Sequence, residues 1–143
     1  MRLYLDTSAL VKLYVEEEGS SLIRQAVAEA DTVATTIIAY VEAHAAFARR
    51  QREKTISLSD YRQIIRDFKA DWRRYLVLEV TERLVERAGE LAEDHHLRAY
   101  DAIHLASAGV LKERLADVVS FACWDSRLQA AARREGLDLI RIK

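Results

Sequence analysis

Short apolar runs alternate along the chain with longer segments in which apolar residues recur every three or four positions. Short runs rich in β-branched and aromatic residues are typical of buried strands, and the longer spacing is typical of amphipathic helices. The predicted strands are residues 2–5, 32–36, 76–80, 118–122 and 137–142, and the predicted helices are 8–17, 20–30, 37–53, 57–75, 81–96, 100–115 and 126–135. This order predicts an α/β fold in three layers, with a mostly parallel five-stranded sheet flanked by helices.

The composition and the lack of linker segments predict that residues 1–143 form a single domain. The chain has no proline, four glycines and no Ser-rich linker, and its apolar (50%) and charged (31%) fractions exclude a disordered chain. The lone Cys123 excludes an internal disulfide and favours a reducing compartment. No uncharged run exceeds ten residues, which is too short to span a membrane, so we expect a cytoplasmic protein with no membrane attachment.

Four acidic residues stand alone in apolar stretches, whereas most other acids alternate with Arg and Lys as on a solvated helix face. They are Asp6, Glu42, Asp101 and Asp125. Carboxylates with apolar neighbours tend to be carried toward the interior, where their ionisation is costly unless a cation or several donors compensate. Each also has a purely structural explanation, as a helix cap for Asp6 and Asp125 or a first-turn acid for Asp101. Glu42 has no cap to make and no basic neighbour one turn away.

The predicted topology brings these acids together. In an open parallel sheet, functional groups gather beyond the carboxyl ends of the strands, and all four acids can meet at that edge. Four carboxylates there would repel one another without a shared cation, and hard oxygen ligands favour Mg²⁺ or Mn²⁺. His104, three residues after Asp101, either orients that acid or packs in the core, and its apolar surroundings favour packing.

Net charge is −1, so the overall field does not indicate a nucleic-acid partner, but the charge is uneven. Residues 49–75 hold nine basic and four acidic residues, whereas residues 76–113 hold four basic and eight acidic ones. A basic stripe lies on one face of the predicted helix 57–75 and consists of Arg62, Arg66, Lys69 and Arg73. Two interpretations stay open, phosphate binding or a solvated face paired with Asp67 and Asp71. Arg49 and Arg50, with Arg52 and Lys54 just beyond them, form a second basic group.

Several segments together resemble PIN-domain ribonucleases, and more narrowly the VapC toxins of prokaryotic toxin–antitoxin pairs. They are the start Leu5-Asp6-Thr7-Ser8-Ala9-Leu10-Val11-Lys12, the lone Glu42, Tyr100-Asp101-Ala102-Ile103-His104-Leu105-Ala106, and Asp125-Ser126-Arg127-Leu128 before an Ala-rich helix ending at Gly136. The resemblance covers essentially the whole chain. It implies a three-layer α/β fold, endonucleolytic RNA cleavage with Mg²⁺ or Mn²⁺, a homodimer or a higher toxin–antitoxin assembly, and inhibition by a VapB-type antitoxin.

Residue by residue, the resemblance assigns the catalytic and metal-binding acids to Asp6, Glu42, Asp101 and Asp125, and the supporting hydroxyl to Ser8. Asp6 and Asp101 are the expected main ligands, Glu42 positions the metal or its water, and Asp125 completes the shell or holds a second ion. The stripe and Arg49 and Arg50 are the RNA-binding candidates.

One departure from the family's pattern is visible. Such proteins often carry Ser or Thr two residues before the fourth acid, where this chain has Cys123, and a thiol is a poor donor. A catalytically silent PIN-like module that only binds proteins is therefore one alternative. A phosphotransfer receiver domain is another, although it needs an acid pair after the first strand and a Lys after a late strand, which this chain lacks.

Overall fold

A computed structural model describes residues 1–140 of the protein and shows a parallel five-stranded sheet between two helical layers. The strands are β1 (Arg2–Leu5), β2 (Thr32–Thr36), β3 (Leu76–Leu78), β4 (Val119–Ala122) and β5 (Asp138–Leu139). The helices are α1 (Thr7–Val11), α2 (Ser20–Glu29), α3 (Ile38–Arg52), α4 (Leu58–Trp72), α5 (Glu82–His95), α6 (Ala99–Leu115) and α7 (Ser126–Arg134). The sheet order is β3-β2-β1-β4-β5 and every pairing is parallel, which confirms the predicted fold class.

The central strand β1 separates two apolar cores because its side chains alternate between the sheet faces. Leu3 and Leu5 join the core formed with α1, α3 and α4, whereas Tyr4 joins the core formed with α5, α6 and α7. All three side chains are fully buried. A strand covered on both faces reads as a continuous apolar run, which is the pattern that Leu3-Tyr4-Leu5 shows in the sequence.

The register brings the carboxyl ends of three strands together. Leu5 at the end of β1 pairs with Ala122 at the end of β4, and Tyr4 pairs with Ala34 of β2. The Thr35 hydroxyl on β2 also donates to the Leu5 carbonyl oxygen at 2.8 Å. Segments that leave β1, β2 and β4 therefore start from one edge of the sheet.

The first helix is shorter than the predicted 8–17, because its backbone tightens after one turn. The N–H of Lys12 donates to the Ala9 carbonyl three residues earlier, and a turn follows. The third strand likewise ends at Leu78, two residues early, and the last covers Asp138–Leu139, with predicted positions 141–142 outside the described residues. In the part of the chain that is described, no helix is long and apolar enough to cross a membrane.

Candidate active site

The four isolated acids lie on segments that begin at the carboxyl edge of the sheet. Asp6 directly follows β1, and its N–H donates to the carbonyl of Ala122 at the end of β4 at 3.2 Å. Asp125 lies three residues beyond β4, Glu42 is in the second turn of the helix after β2, and Asp101 is in the first turn of α6. This edge is where an open parallel sheet places its functional groups.

Asp6 is a buried carboxylate that also caps a helix. Only 5% of its surface is exposed, and its Oδ1 accepts hydrogen bonds from the Ala9 N–H at 2.9 Å and the Ser8 hydroxyl at 2.7 Å. Burial raises the pKa of Asp6, the nearby Asp101 charge raises it further, and His104 and these two donors oppose the shift. Both bonds go to Oδ1, so within residues 1–140 the second oxygen, Oδ2, receives no hydrogen bond and is free for another ligand.

Glu42 is hydrogen-bonded to the first residue of α1 and to α6 through a single oxygen. Its Oε1 accepts a hydrogen bond from the Thr7 hydroxyl at 2.6 Å and lies 3.0 Å from Nε2 of His104. Burial on its own would raise the pKa of Glu42, but the bonds from His104 and Thr7 outweigh it and leave this pKa below its usual range. The site therefore keeps Glu42 ionised and half-buried.

His104 connects Glu42 to the core. Its ring is 2% exposed, and its Nδ1 lies 2.9 Å from the Tyr4 hydroxyl. Burial raises the pKa of Tyr4 well above its ordinary value, so the hydroxyl keeps its proton. The prediction that His104 packs in the core describes its burial. Its polar contacts within residues 1–140 go to Tyr4, Thr7 and Glu42 and not to Asp101.

Asp101 and Asp125 share one guanidinium group. Arg98, at the N-cap of α6, places Nε 3.2 Å from an Asp101 oxygen and Nη2 3.7 Å from an Asp125 oxygen. Arg98 is itself 79% exposed, so these ion pairs are solvent-screened and weak. Asp125 additionally caps α7 by accepting the Leu128 N–H at 2.9 Å. The structural and functional interpretations of these acids are thus compatible.

Cys123 is surrounded by three of the acids. Burial raises the pKa of its thiol, and the charges of Asp6, Asp125 and Asp101 raise it further, so the sulfur stays protonated. Its Sγ lies 3.9 Å from the Asp125 carbonyl oxygen, which is a weak contact where a hydroxyl would make a stronger one. The presence of Cys123, where the family often has Ser or Thr, therefore weakens a side-chain contact to the backbone carbonyl of Asp125.

The carboxylates of the four acids are the kind of ligand that a hard divalent cation prefers. In this structure, however, they do not converge on one point. Asp6 offers a free oxygen whose ionisation a cation would stabilise, and carboxylate oxygens suit Mg²⁺ or Mn²⁺. Within residues 1–140, however, no three His, Cys, Asp or Glu side chains form a ready metal cluster. The reason is local, since Asp101 and Asp125 face Arg98 while Glu42 faces Thr7 and His104.

Comparison with known proteins decides the family. The PIN domain family model matches residues 3–133 of the chain. This protein is a PIN domain. The match covers residues 3–133, so the extent of the domain over all of 1–143 stays a prediction. Membership of the PIN family excludes the alternative of a phosphotransfer receiver domain.

Two curated relatives are named as ribonucleases. Ribonuclease VapC45 of Mycobacterium tuberculosis (strain CDC 1551 / Oshkosh) and Ribonuclease VapC49 of Mycobacterium tuberculosis (strain ATCC 25618 / H37Rv) are each 36% identical over 133 residues. The alignment covers 93% of this chain and 90% of each relative. The predicted resemblance to the VapC group of PIN domains is therefore confirmed.

Solved structures of similar fold come from three organisms. PAE2754 from Pyrobaculum aerophilum has a TM-score of 0.66 at 20% identity, with 98% of this chain and 84% of that chain covered. VapBC2 from Rickettsia felis, bound to a DNA fragment from its promoter, has a TM-score of 0.65 at 12% identity, with 97% of both chains covered. FitAcB from Neisseria gonorrhoeae has a TM-score of 0.66 at 13% identity, with 96% of this chain and 95% of that chain covered. At these identities the likeness concerns the fold alone.

The basic stripe on α4 of this PIN domain faces solvent. Its four side chains are exposed, and Arg66 donates to the Gln63 amide oxygen at 2.7 Å. Asp67 and Asp71 have other partners within residues 1–140, since Asp67 accepts a hydrogen bond from Gln63 and Asp71 accepts one from Tyr14. Within residues 1–140 the stripe is thus a solvated face without ion pairs to these two acids, and phosphate binding stays a prediction.

The two RNA-binding candidates of the second basic group, Arg49 and Arg50, are already in ion pairs. Arg49 pairs with Glu53 at 2.8 Å on the surface of α3, and Arg50 pairs with Glu17 at 2.5 Å. These acids would have to be displaced before either guanidinium could bind a phosphate. The stripe on α4 is thus the better candidate of the two for RNA binding.

Sequence reasoning missed three polar residues in the PIN-domain site, namely Tyr4, Thr7 and Arg98. Thr7 and Arg98 each lie within three residues of a predicted acid, and this adjacency was a usable signal. Tyr4 had none, because it reads as part of an apolar strand. Its contact with His104 spans 100 positions and depends on the packing of α6 against the sheet.

Proposed function

We propose that the protein is a metal-dependent endoribonuclease toxin of the VapC type that hydrolyses RNA phosphodiester bonds in the cytoplasm and is inhibited by a VapB-type antitoxin. One observation carries the proposal. In a chain 36% identical to curated ribonucleases, Asp6, Glu42, Asp101 and Asp125 all lie at the carboxyl edge of the sheet. The names of the relatives and this donor set support an enzyme more than a passive scaffold.

The catalytic roles follow from the contacts of each acid. Asp6 and Asp101 would hold Mg²⁺ or Mn²⁺ as main ligands, with the Ser8 hydroxyl and the Ala9 N–H fixing the Asp6 carboxylate. A bound divalent ion supplies positive charge to the phosphate and lowers the pKa of an attacking water. Glu42, kept ionised by its two donors, would orient that water, and Asp125 would complete the ligand set.

Arg98 would have to release Asp101 and Asp125 for these two acids to hold a cation. Its exposure makes this exchange inexpensive, because exposed ion pairs contribute about 0–1 kcal/mol. The released guanidinium would lie at the rim of the site, where an RNA phosphate approaches. Arg98 would then reduce the repulsion between the acidic site and its substrate.

A homodimer is the second element of the proposal. Ile37 and Val41 lie one turn apart at the start of α3 and are 49% and 65% exposed, so they present apolar surface to solvent. We expect a second copy of the chain to cover this face, either alone or within a toxin–antitoxin assembly. Sedimentation velocity on the wild type and on Val41→Glu measures whether the dimer forms and whether it depends on this face.

A cleavage assay with defined RNA tests the enzymatic part. The purified protein is incubated with a labelled single-stranded RNA in Mg²⁺, in Mn²⁺ or in EDTA, and products are resolved at nucleotide resolution. We expect internal cleavage with either ion and none in EDTA. Addition of the small protein encoded beside the gene, if it is VapB-like, should stop the reaction.

The same assay separates this proposal from a silent PIN module. The observation that favours silence is that Asp101 and Asp125 both pair with Arg98 of the same chain. Absence of cleavage with both ions over a panel of cellular RNAs, by protein that is folded and free of antitoxin, would favour the binding module.

A further inference from the structure

We propose that His104 is a positioning residue of this PIN domain, which fixes the carboxylate of Glu42 by carrying a hydrogen-bonded link from the core to the site. The inference rests on the proposed function, because Glu42 matters only if the acids bind a cation. It concerns contacts among Tyr4, His104, Thr7 and Glu42 in this chain.

The inner end of the link is rigid. Tyr4 is fully buried in the central strand, and its ring stacks on Phe121 of β4 with centroids 5.4 Å apart. The His104 ring stands edge-on to Tyr4 at 5.9 Å, and the Tyr4 hydroxyl lies 2.9 Å from Nδ1. A ring held this way in the interior has little freedom to rotate.

The direction of the hydrogen bonds follows from the available acceptors. Glu42 is ionised at this site, and a carboxylate oxygen can only accept a hydrogen bond. Nε2 of His104 lies 3.0 Å from Glu42 Oε1, so Nε2 carries a proton and donates to that oxygen. A ring protonated on Nδ1 alone would instead turn the Nε2 lone pair toward the Glu42 carboxylate and deprive Glu42 of this donor.

The outer end of the link limits where Glu42 can point. A glutamate on a half-buried helix face has three rotatable bonds, and the Thr7 hydroxyl alone could follow it through several rotamers. Donation from both Thr7 and His104 to the same oxygen, Oε1, leaves the other oxygen free and fixes the plane of the carboxylate. Partners of this kind around metal ligands typically change affinity or activity by about 10- to 100-fold.

Two substitutions of His104 test separately its hydrogen bond to Glu42 and its hydrogen bond to Tyr4. In His104→Gln the amide nitrogen reaches the place of Nε2 and can still donate to Glu42, whereas in His104→Asn the amide is shorter and reaches only toward Tyr4. His44→Gln is the matched control, because His44 packs against Tyr40 and Phe68 and within residues 1–140 makes no hydrogen bond or ion pair with the four acids. Affinity is measured with Mn²⁺ alone, by the electron paramagnetic resonance signal of the free ion, and RNA cleavage is measured in parallel.

We expect His104→Asn to weaken Mn²⁺ binding by about 10-fold, His104→Gln to recover most of that loss, and His44→Gln to bind as the wild type does. In a Glu42→Gln background, His104→Asn should cause no further loss of Mn²⁺ affinity, because the two residues act as one unit. Tyr4→Phe should weaken binding in the same direction by a smaller factor. It also tests the link if both His104 variants fail to fold.

Equal Mn²⁺ affinity in the wild type and His104→Asn, or independent losses in the Glu42→Gln background, would overturn the positioning role while leaving the nuclease intact. A wild type that neither binds Mn²⁺ nor cleaves RNA would instead overturn the proposed function, and the role of His104 with it. A lower melting temperature without a change in Mn²⁺ affinity would assign His104 to the core alone.

Discussion

At the scale of single residues, the site acids also build the fold. The Asp6 oxygen that caps α1 is the one that Ser8 holds, and Asp125 caps α7 with an oxygen while it faces Arg98. A cap needs one acceptor, and a carboxylate has two oxygens. One group can therefore start a helix and still present an oxygen to a cation, which is why the cap interpretation and the site interpretation do not compete.

Asp6→Asn separates these roles. The amide still caps α1 but cannot bring a negative charge to a cation, so we expect RNA cleavage to fall by at least ~100-fold, the upper limit for changing a mere neighbour of a ligand. Asp101→Asn should act likewise. Full activity in either variant, measured with the labelled RNA at saturating Mg²⁺, would contradict the assignment of these acids.

The raised pKa of Asp6 predicts how stability responds to pH. A carboxyl group whose pKa is higher in the folded state contributes stability at low pH that is lost as pH rises through the folded pKa. Asn at this position has no such loss. Without metal, Asp6→Asn should therefore be more stable than the wild type at neutral pH, and urea titrations should show the difference shrinking as the pH is lowered toward 4.

At the scale of elements, the connection from α1 to α2 braces the segment that carries Asp125. Gly19 has φ of +90°, and a Cβ there would come within 2.2 Å of the Trp124 ring. Lys12 lies over the same ring at 4.5 Å and pairs with Glu17 in the connection. The early end of α1 thus allows the chain to turn back onto Trp124, and a helix through residue 17 would not.

Gly19→Ala should destabilise the protein because the methyl group must displace an indole and adopt a left-handed backbone. We expect a loss of about 1–3 kcal/mol in the free energy of unfolding, as for overpacking. Gly89→Ala, in the middle of α5 with no atom within 4 Å of the added carbon, is the matched control and should stabilise by about 0.5–1 kcal/mol. Equal effects of the two substitutions in urea titrations would show that the contact with Trp124 is unimportant.

At the scale of the whole molecule, local sequence patterns predicted the features that are determined by residues close together in the chain. The bounds of β1 and β2, the helix starts at Ser20 and Ser126, and the convergence of the acids all follow from periodicity, caps and the rule for parallel sheets. The link from Tyr4 through His104 to Glu42 depends on register and helix packing, which single-sequence periodicity does not contain. The approach of Gly19 to Trp124, which accompanies the early end of α1, is a further contact between segments distant in sequence.

Metal binding should be visible in global stability. A cation that binds only the folded protein stabilises it by mass action, by about 2.7 kcal/mol at a hundred times its Kd. We therefore expect millimolar Mg²⁺ or Mn²⁺ to raise the melting temperature over that in EDTA, and Glu42→Gln to reduce the increment. Identical melting curves with and without either ion would show that the acids do not form a metal site.

The distribution of charge leads to the last prediction, which concerns the path of RNA across the surface. The stripe on α4 consists of exposed cations that make no ion pair with another residue of 1–140, so they are available to phosphates. Arg62→Gln/Lys69→Gln should weaken single-stranded RNA binding at low salt and reduce the slope of log affinity against log salt by about 0.7 per lost contact. Arg83→Gln/Arg114→Gln removes the same charge from exposed positions on α5 and α6 and is the control.

Cleavage at saturating RNA should persist in both double variants, because phosphate contacts position the strand without touching the acids. Equal slopes for the two double variants would mean that the stripe acts only through net charge, and would direct attention to Arg98 at the rim of the site.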